Sequence, residues 1–252
     1  MTTISVPYHE NVEDFTEGEL ERIEELSGQE TLRWAFEQYG KRAAIGTSLQ
    51  HTGMTQIHLT SQVIDRFRVF TVDTLRLHEE TYEFYETVQD RYGIDLEIYQ
   101  PDPEELQEMM NRHGEYLFFD SREKQQLCCE IRKQNPFDRA VESLDVWICG
   151  LRRDQSEERK DTPRAQLSRE NGRIVLKLAP LVDWTEEEVW EFIQENDVPY
   201  NPLFDEGYQT ISCRICTTPV QPGEDKRAGR WRWFNDHNRE CGLHLNKDCS
   251  GI

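Results

Sequence analysis

Short apolar runs and amphipathic stretches take turns along most of this chain, and that alternation restricts its fold more than any other feature. Residues 43–49, Ala-Ala-Ile-Gly-Thr-Ser-Leu, have the pattern of a short buried strand. Residues 53–67 then space Met54, Ile57, Leu59, Val63 and Ile64 at helical intervals. Apolar runs at 68–72, 94–99 and 145–149 follow, separated by helical stretches at 78–92, 103–111 and about 136–144. Strands separated by helices predict an α/β fold built on a doubly wound, mostly parallel sheet.

The ends of the chain differ from this middle. Residues 17–39 carry helical periodicity that Ser27-Gly28 can break, and they predict a cover over the core. A further strand is expected at 173–178, and Thr185 and Glu188 have capping-box spacing ahead of a helix that runs to about Asn196. Beyond it Pro199, Pro202, Gly207, Pro219, Pro222 and Gly223 interrupt regular structure, which gives a loop-rich C-terminal tail. The expected division is a helical cover over 1–40, an α/β core over 41–216 and a C-terminal segment over 217–252.

A chain of 252 residues, 36% hydrophobic, can bury one substantial core. Its net charge of -20 repels nucleic acid and phospholipid surfaces, so neither is expected as a partner, and an anionic ligand needs a local basic pocket. Residues 1–15 match neither a signal peptide nor a membrane anchor. Two of the seven cysteines are adjacent and two form a C-x-x-C pair, a poor disulfide framework that fits a reducing cytoplasm with metal or thiol chemistry.

In open α/β sheets ligands bind beyond the carboxyl ends of the strands. The loop 46–53 offers the Ser48 hydroxyl and backbone amides at a helix start, which suits a phosphate. Val72-Asp73-Thr74 brings a carboxylate suited to a ribose or to an orienting hydrogen bond. After 145–149, Arg152 and Arg153 stand where guanidinium groups make bidentate contacts to an oxyanion. Lys226, Arg227, Arg230 and Arg232 form the densest basic patch of an acidic chain.

Cys128-Cys129 with Cys213-Arg214-Ile215-Cys216 is the strongest metal signal, since four thiolates satisfy either a structural zinc or a cubane cluster. Adjacent cysteines reach one group only from a helical or bent backbone, and the segment 123–133 has helical character. Lys133 follows them closely enough to offset negative charge there. Cys149 ends an apolar run and reads as an inert core thiol. Cys241 sits in Arg239-Glu240-Cys241-Gly242-Leu243-His244, between a cation and an imidazole that favour the thiolate, and it is the candidate nucleophile.

Taken together, these motifs resemble the adenylyl-sulfate and phosphoadenylyl-sulfate reductase family of assimilatory sulfate reduction. The resemblance runs from about Ala43 to His244. It rests on Phe70-Thr71-Val72-Asp73-Thr74, Cys128-Cys129-x-x-Arg132-Lys133, Gly150-Leu151-Arg152-Arg153-Asp154-Gln155-Ser156, Tyr200-Asn201-Pro202-Leu203, Cys213-x-x-Cys216 and Glu240-Cys241-Gly242-Leu243-His244. It implies a fold similar to adenine nucleotide α-hydrolases and a [4Fe-4S] cluster on Cys128, Cys129, Cys213 and Cys216. It further implies that Cys241 attacks the sulfur of adenylyl sulfate, releases AMP and becomes an S-sulfocysteine, which thioredoxin or a similar dithiol resolves to sulfite. Anion-binding roles fall on Lys133, Arg152, Arg227, Arg230 and His244, while Ser48 and Asp73 fall in the nucleotide loops.

The chain departs from the family pattern at Leu75, where glycine is common, and at His51-Thr52-Gly53, which replaces an acidic turn. The segment 157–164 aligns poorly and leaves Arg159, Lys160 and Arg164 as alternative substrate contacts. Cys249 is an extra thiol. Phosphoadenylyl sulfate is the alternative substrate, and an adenylyltransferase-like protein with structural zinc or a sensor of adenylylated sulfate are the alternative classes. Oligomeric state, a homo-oligomer included, is not legible in the motifs.

Overall fold

The structure, a computed structural model, describes residues 6–234. Two helices lead, α1 (Glu17–Glu24) and α2 (Gly28–Tyr39). Ser27 separates them by starting the second. Its hydroxyl accepts from the Glu30 amide at 3.2 Å, and the Glu30 carboxylate accepts from the Ser27 amide at 2.8 Å. That reciprocal cap satisfies two amides a helix start otherwise leaves unpaired.

The core elements follow in alternation: β1 (Ala43–Gly46), α3 (His51–Ser61), β2 (Arg68–Val72), α4 (Glu79–Tyr92), β3 (Leu96–Tyr99), α5 (Pro103–His113), α6 (Arg122–Cys129), α7 (Asn135–Val141) and β4 (Val146–Ile148). A hairpin of β5 (Ala165–Glu170) and β6 (Arg173–Leu178) comes next, and α8 (Glu186–Glu195) closes the set. The six strands form one sheet in the order β3-β2-β1-β4-β6-β5, parallel except for β5.

Alternation along each strand divides the apolar residues between two faces. Ala43 and Ile45 of β1, Val146 and Ile148 of β4 and Leu176 of β6 join Leu32, Ile57, Val88 and Val189 from the helices on one face. Ala44, Phe70 and Trp147 join Phe137, Ala140 and Val141 of α7 on the other. Ile23, Leu26 and Leu32 are buried with the sheet, so the N-terminal helices share the main core.

Most elements lie where the periodicity puts them, with two differences. The helix expected over 53–67 runs instead from His51 to Ser61, because the first turn begins directly after the loop at Gln50. The strand β5 was not expected, since its only apolar residues are Ala165 and Leu167, and it pairs antiparallel at the sheet edge through a two-residue turn at Asn171-Gly172.

Candidate active site

Strand order reverses on either side of β1, and there the carboxyl ends of β1, β2 and β4 open on a cleft of about 230 Å³. Its floor is the turn from β1 into α3. The Thr47 hydroxyl accepts from the Leu49 amide at 2.9 Å, with Leu49 in the left-handed region at φ 53. A Cβ on Gly53 would lie 1.9 Å from Thr47 Oγ1, so only glycine lets this turn fold onto the start of α3. Gln50 precedes α3 without a side-chain cap, which leaves first-turn amides to face an anion. The Gln50 side chain instead donates to Ser48 Oγ at 2.7 Å and accepts from the Ile211 amide at 2.9 Å, tying the loop to the opposite wall. Gln56 on α3 donates to the Cys149 carbonyl at 2.9 Å, which fixes the end of β4 against the same helix.

Six cationic residues line the cleft, Lys133, Arg152, Arg159, Lys226, Arg227 and Arg230, against the single carboxylate of Glu186. In a chain of net charge -20 that inversion is a local electrostatic design. Arg152 is buried, donates to Asp154 at 2.9 Å and stands 3.9 Å from Glu186. Arg227 and Arg230 arrive on a strap that folds back over the cleft: Trp231 donates its amide to the Cys216 carbonyl at 3.0 Å, and Lys226 pairs with Glu186. Arg230 stacks on the Trp231 ring at 4.4 Å. The tryptophans of this strap pack, with Trp233 against Phe118 and Phe119.

The four cysteines adjoin the cleft. Cys128 and Cys129 end α6, which continues as a π-helical turn over Glu130–Gln134 before α7. Pro136 explains that turn, since it has no N–H for the Arg132 carbonyl, and Asn135 donates one residue further back, to Glu130. Neighbouring helical side chains diverge by about 100° instead of the roughly 180° of a strand, and the charges of Cys128 and Cys129 both act on Cys216. Cys213 and Cys216 form a turn closed by an amide-to-carbonyl bond of 2.9 Å. Thr74 Oγ1, in the cleft wall, lies 3.1 Å from Cys213 Sγ, and Gln125 donates to Cys129 Sγ at 3.1 Å.

Electrostatics tie the four sulfurs together. A hydrogen bond from Cys216 chiefly, then Thr74, Lys133 and Arg132, hold the Cys213 thiol down to about 6 against the effect of burial. Cys216 is pushed up by that same bond, by burial and by the charges of Cys213, Cys129 and Cys128. The two opposite shifts share one main cause, the hydrogen bond between the two sulfurs. Burial also raises Cys128, against Arg132 and Arg76. Such soft donors suit zinc or an iron-sulfur cluster. Among the described residues no three His, Cys, Asp or Glu side chains are grouped as one metal ion would need.

Of the residues singled out in the sequence, Ser48, Lys133, Arg152, Arg227 and Arg230 come together in the cleft. Asp73 does not line it. Its carboxylate is buried and accepts from the Leu75 amide and the Tyr82 hydroxyl at 2.8 Å each and from Gln100 at 2.9 Å, so it holds its own loop. Among the three alternatives in 157–164, Arg159 reaches the cleft, Arg164 is buried against the Pro180 carbonyl and Asp183, and Lys160 pairs with Glu157. Cys241, His244 and Cys249 lie outside the described residues. Glu186 and the wall residues Gln209, Thr210, Ile211 and Ser212 carried no signal in the sequence, Glu186 reading as one of three equivalent glutamates after a cap, and His51 was marked only as part of a departure from the family's acidic turn.

Residues 42–219 match the phosphoadenosine phosphosulfate reductase domain model. The adenosine 5'-phosphosulfate reductase of Allochromatium vinosum is 45% identical over 70% of this chain and 68% of its own length. That of Halalkalibacterium halodurans is 39% identical over 89% of this chain and 93% of its own. Among solved structures, the phosphoadenylyl-sulfate reductase of Candida auris superposes with a TM-score of 0.69 at 26% identity, over 82% of this chain and 98% of that one. The FMN adenylyltransferase of Candida glabrata shares the fold, with a TM-score of 0.54 at 13% identity over 86% of this chain and 70% of that one. By its domain and its relatives, the chain belongs to the phosphoadenosine phosphosulfate reductase family.

Proposed function

We propose that this chain reduces adenylyl sulfate to sulfite and AMP in assimilatory sulfate reduction and cysteine biosynthesis, with Cys241 as nucleophile and a dithiol such as thioredoxin as electron donor. One observation carries the reading: a cation-lined cleft, in a chain of net charge -20, at the carboxyl ends of the strands of a reductase-family sheet. Two relatives named as adenosine 5'-phosphosulfate reductases favour adenylyl sulfate over its 3'-phosphorylated form. A thiol step of this kind belongs in a reducing cytoplasm. Among the described residues no helix is long and apolar enough to cross a membrane.

The cleft residues bind and orient. The first-turn amides of α3 and the Ser48 hydroxyl suit a phosphate, and Lys133, Arg152, Arg227 and Arg230 hold the charged phosphosulfate by charge-assisted contacts. His244, three positions after Cys241 in the sequence, is a further candidate contact for the anion. The Cys241 thiolate attacks the hexavalent sulfur, the sulfur–oxygen bond to the phosphate breaks, and AMP leaves with that electron pair. A thiolate of the dithiol then attacks Cys241 Sγ, expels sulfite and closes to a disulfide with its second thiol, which supplies the two electrons. Cys128, Cys129, Cys213 and Cys216 would hold a [4Fe-4S] cluster, and when bound it supplies a fixed charged group behind Lys133 and Thr74.

Enzyme purified anaerobically and mixed with adenylyl sulfate, without thioredoxin, is expected to release about one AMP per site and to carry one sulfonate on the peptide containing Cys241. Cys241→Ser should bind nucleotide and form no adduct, and turnover surviving in that variant overturns the assignment. The same preparation should be brown, with iron and acid-labile sulfide in cubane proportion. Zinc without sulfide would replace the cluster by a structural ion.

A further inference from the structure

We propose that His51 is a positioning residue, whose ring fixes the Arg152 guanidinium so that one edge of that cation is kept for the anion in the cleft. The proposal rests on the reading of Arg152 as a substrate-binding cation.

Arg152 has five N–H donors and almost no exposure of its own. Its Nε donates to Asp154 at 2.9 Å, and its Nη1 donates both to His51 Nε2 at 3.1 Å and to the Thr52 hydroxyl. Only Nη2 remains, and among the described residues its partner is the Glu186 carboxylate, 3.9 Å away and beyond hydrogen-bond range. The guanidinium is therefore clamped along two sides and open on the third.

His51 is built to be one jaw of that clamp. Its ring lies parallel to Trp190, centroids 5.3 Å apart at 6°, and meets Phe204 edge-on at 5.1 Å, so it cannot swing. An arginine only donates, so Nε2 must accept, and the ring is neutral with its proton on Nδ1. The surroundings agree: burial, then the Arg152 charge, against Asp154 but with Lys226, push His51 down to about 3. Nδ1 is buried without a partner, so its N–H is left unsatisfied and the tautomer is set by the contact with Arg152 alone. Asp154 already sets one carboxylate against Arg152, and a neutral imidazole at the second side orients the guanidinium without adding another negative charge.

The test is the affinity of the full-length Cys241→Ser chain for adenylyl sulfate, with further substitutions at His51 and Arg152. His51→Phe keeps the aromatic stack and removes the acceptor, and it should weaken binding about tenfold, as loss of a hydrogen bond to a charged group implies. His51→Gln restores an acceptor near the Nε2 position and should stay within about threefold of the parent. Where Phe is not accommodated, His51→Met gives the same contrast with Gln. In an Arg152→Ala background the His51 change should add less than about twofold, because coupled residues are not additive. Undiminished loss in that background, or full affinity in His51→Phe while Arg152→Ala binds poorly, overturns the proposal. Normal binding by Arg152→Ala would instead sink the reading of Arg152, and the proposal with it.

Discussion

Leu75 follows Asp73 in a turn whose amide is held by the Asp73 carboxylate, and that turn forces Leu75 to φ 57. A left-handed L-residue costs roughly 1–2 kcal/mol, while glycine costs about 0.5–1 kcal/mol in chain entropy. Leu75 is also exposed, so it repays little by burial. Leu75→Gly is expected to raise unfolding stability by about 0.5–1 kcal/mol in a urea titration, and a loss would show that its side chain packs on a partner. His51 supports a second expectation. Its ordinary value near 6.5 falls to about 3 on folding, so the neutral ring stabilises the fold above pH 6.5 and that stability is lost as pH falls. The parent should lose about 2 kcal/mol of stability relative to His51→Gln from pH 7 to pH 5. Subtraction removes the contribution of His58 and His78, which burial also lowers.

At the scale of elements, the periodic segments were legible because each buries one face: Arg68–Val72, Arg173–Leu178 and the helix capped by Thr185 and Glu188 lie where their spacing puts them. The edge strand β5 was hidden, since an edge exposed on one side carries a weak apolar pattern. Its signal was Asn171-Gly172, both at positive φ, 45 and 79, as a tight hairpin turn requires. Gly172→Ala should therefore cost about 1–2 kcal/mol in denaturant stability, with the loss confined to the turn. The cleft residues were legible where a loop follows a strand, as with Ser48 and Arg152. For Asp73 the sequence left a ribose contact and an orienting hydrogen bond open, and the structure has the carboxylate holding its own turn, because the donors that surround it come from Leu75, Tyr82 and Gln100. His51 stood out only as a departure from an acidic turn, because the rings that pack on it, Trp190 and Phe204, come from distant parts of the chain.

For the whole molecule, one acidic body surrounds one basic cleft, so salt should act with opposite signs on stability and on binding. Raising KCl from about 0.1 M to 1 M shortens the screening length from roughly 10 Å to 3 Å. The repulsion behind a net charge of -20 then fades and the melting temperature should rise, while KM for adenylyl sulfate rises as the six cations are screened. A common direction for both would show that the two fields are not separate. The π-helical turn over Glu130–Gln134 sets a different kind of limit on the chain. It is one residue longer than a regular helix would need, and a deletion there would leave Pro136, which has no N–H, inside a regular helix at some cost in local stability. It would also swing Cys128 and Cys129 about 100° around the helix axis, away from Cys213 and Cys216. At that turn the register of the chain is constrained more tightly than the identity of its residues, and variants that change its length should fold yet lose their shared thiol site.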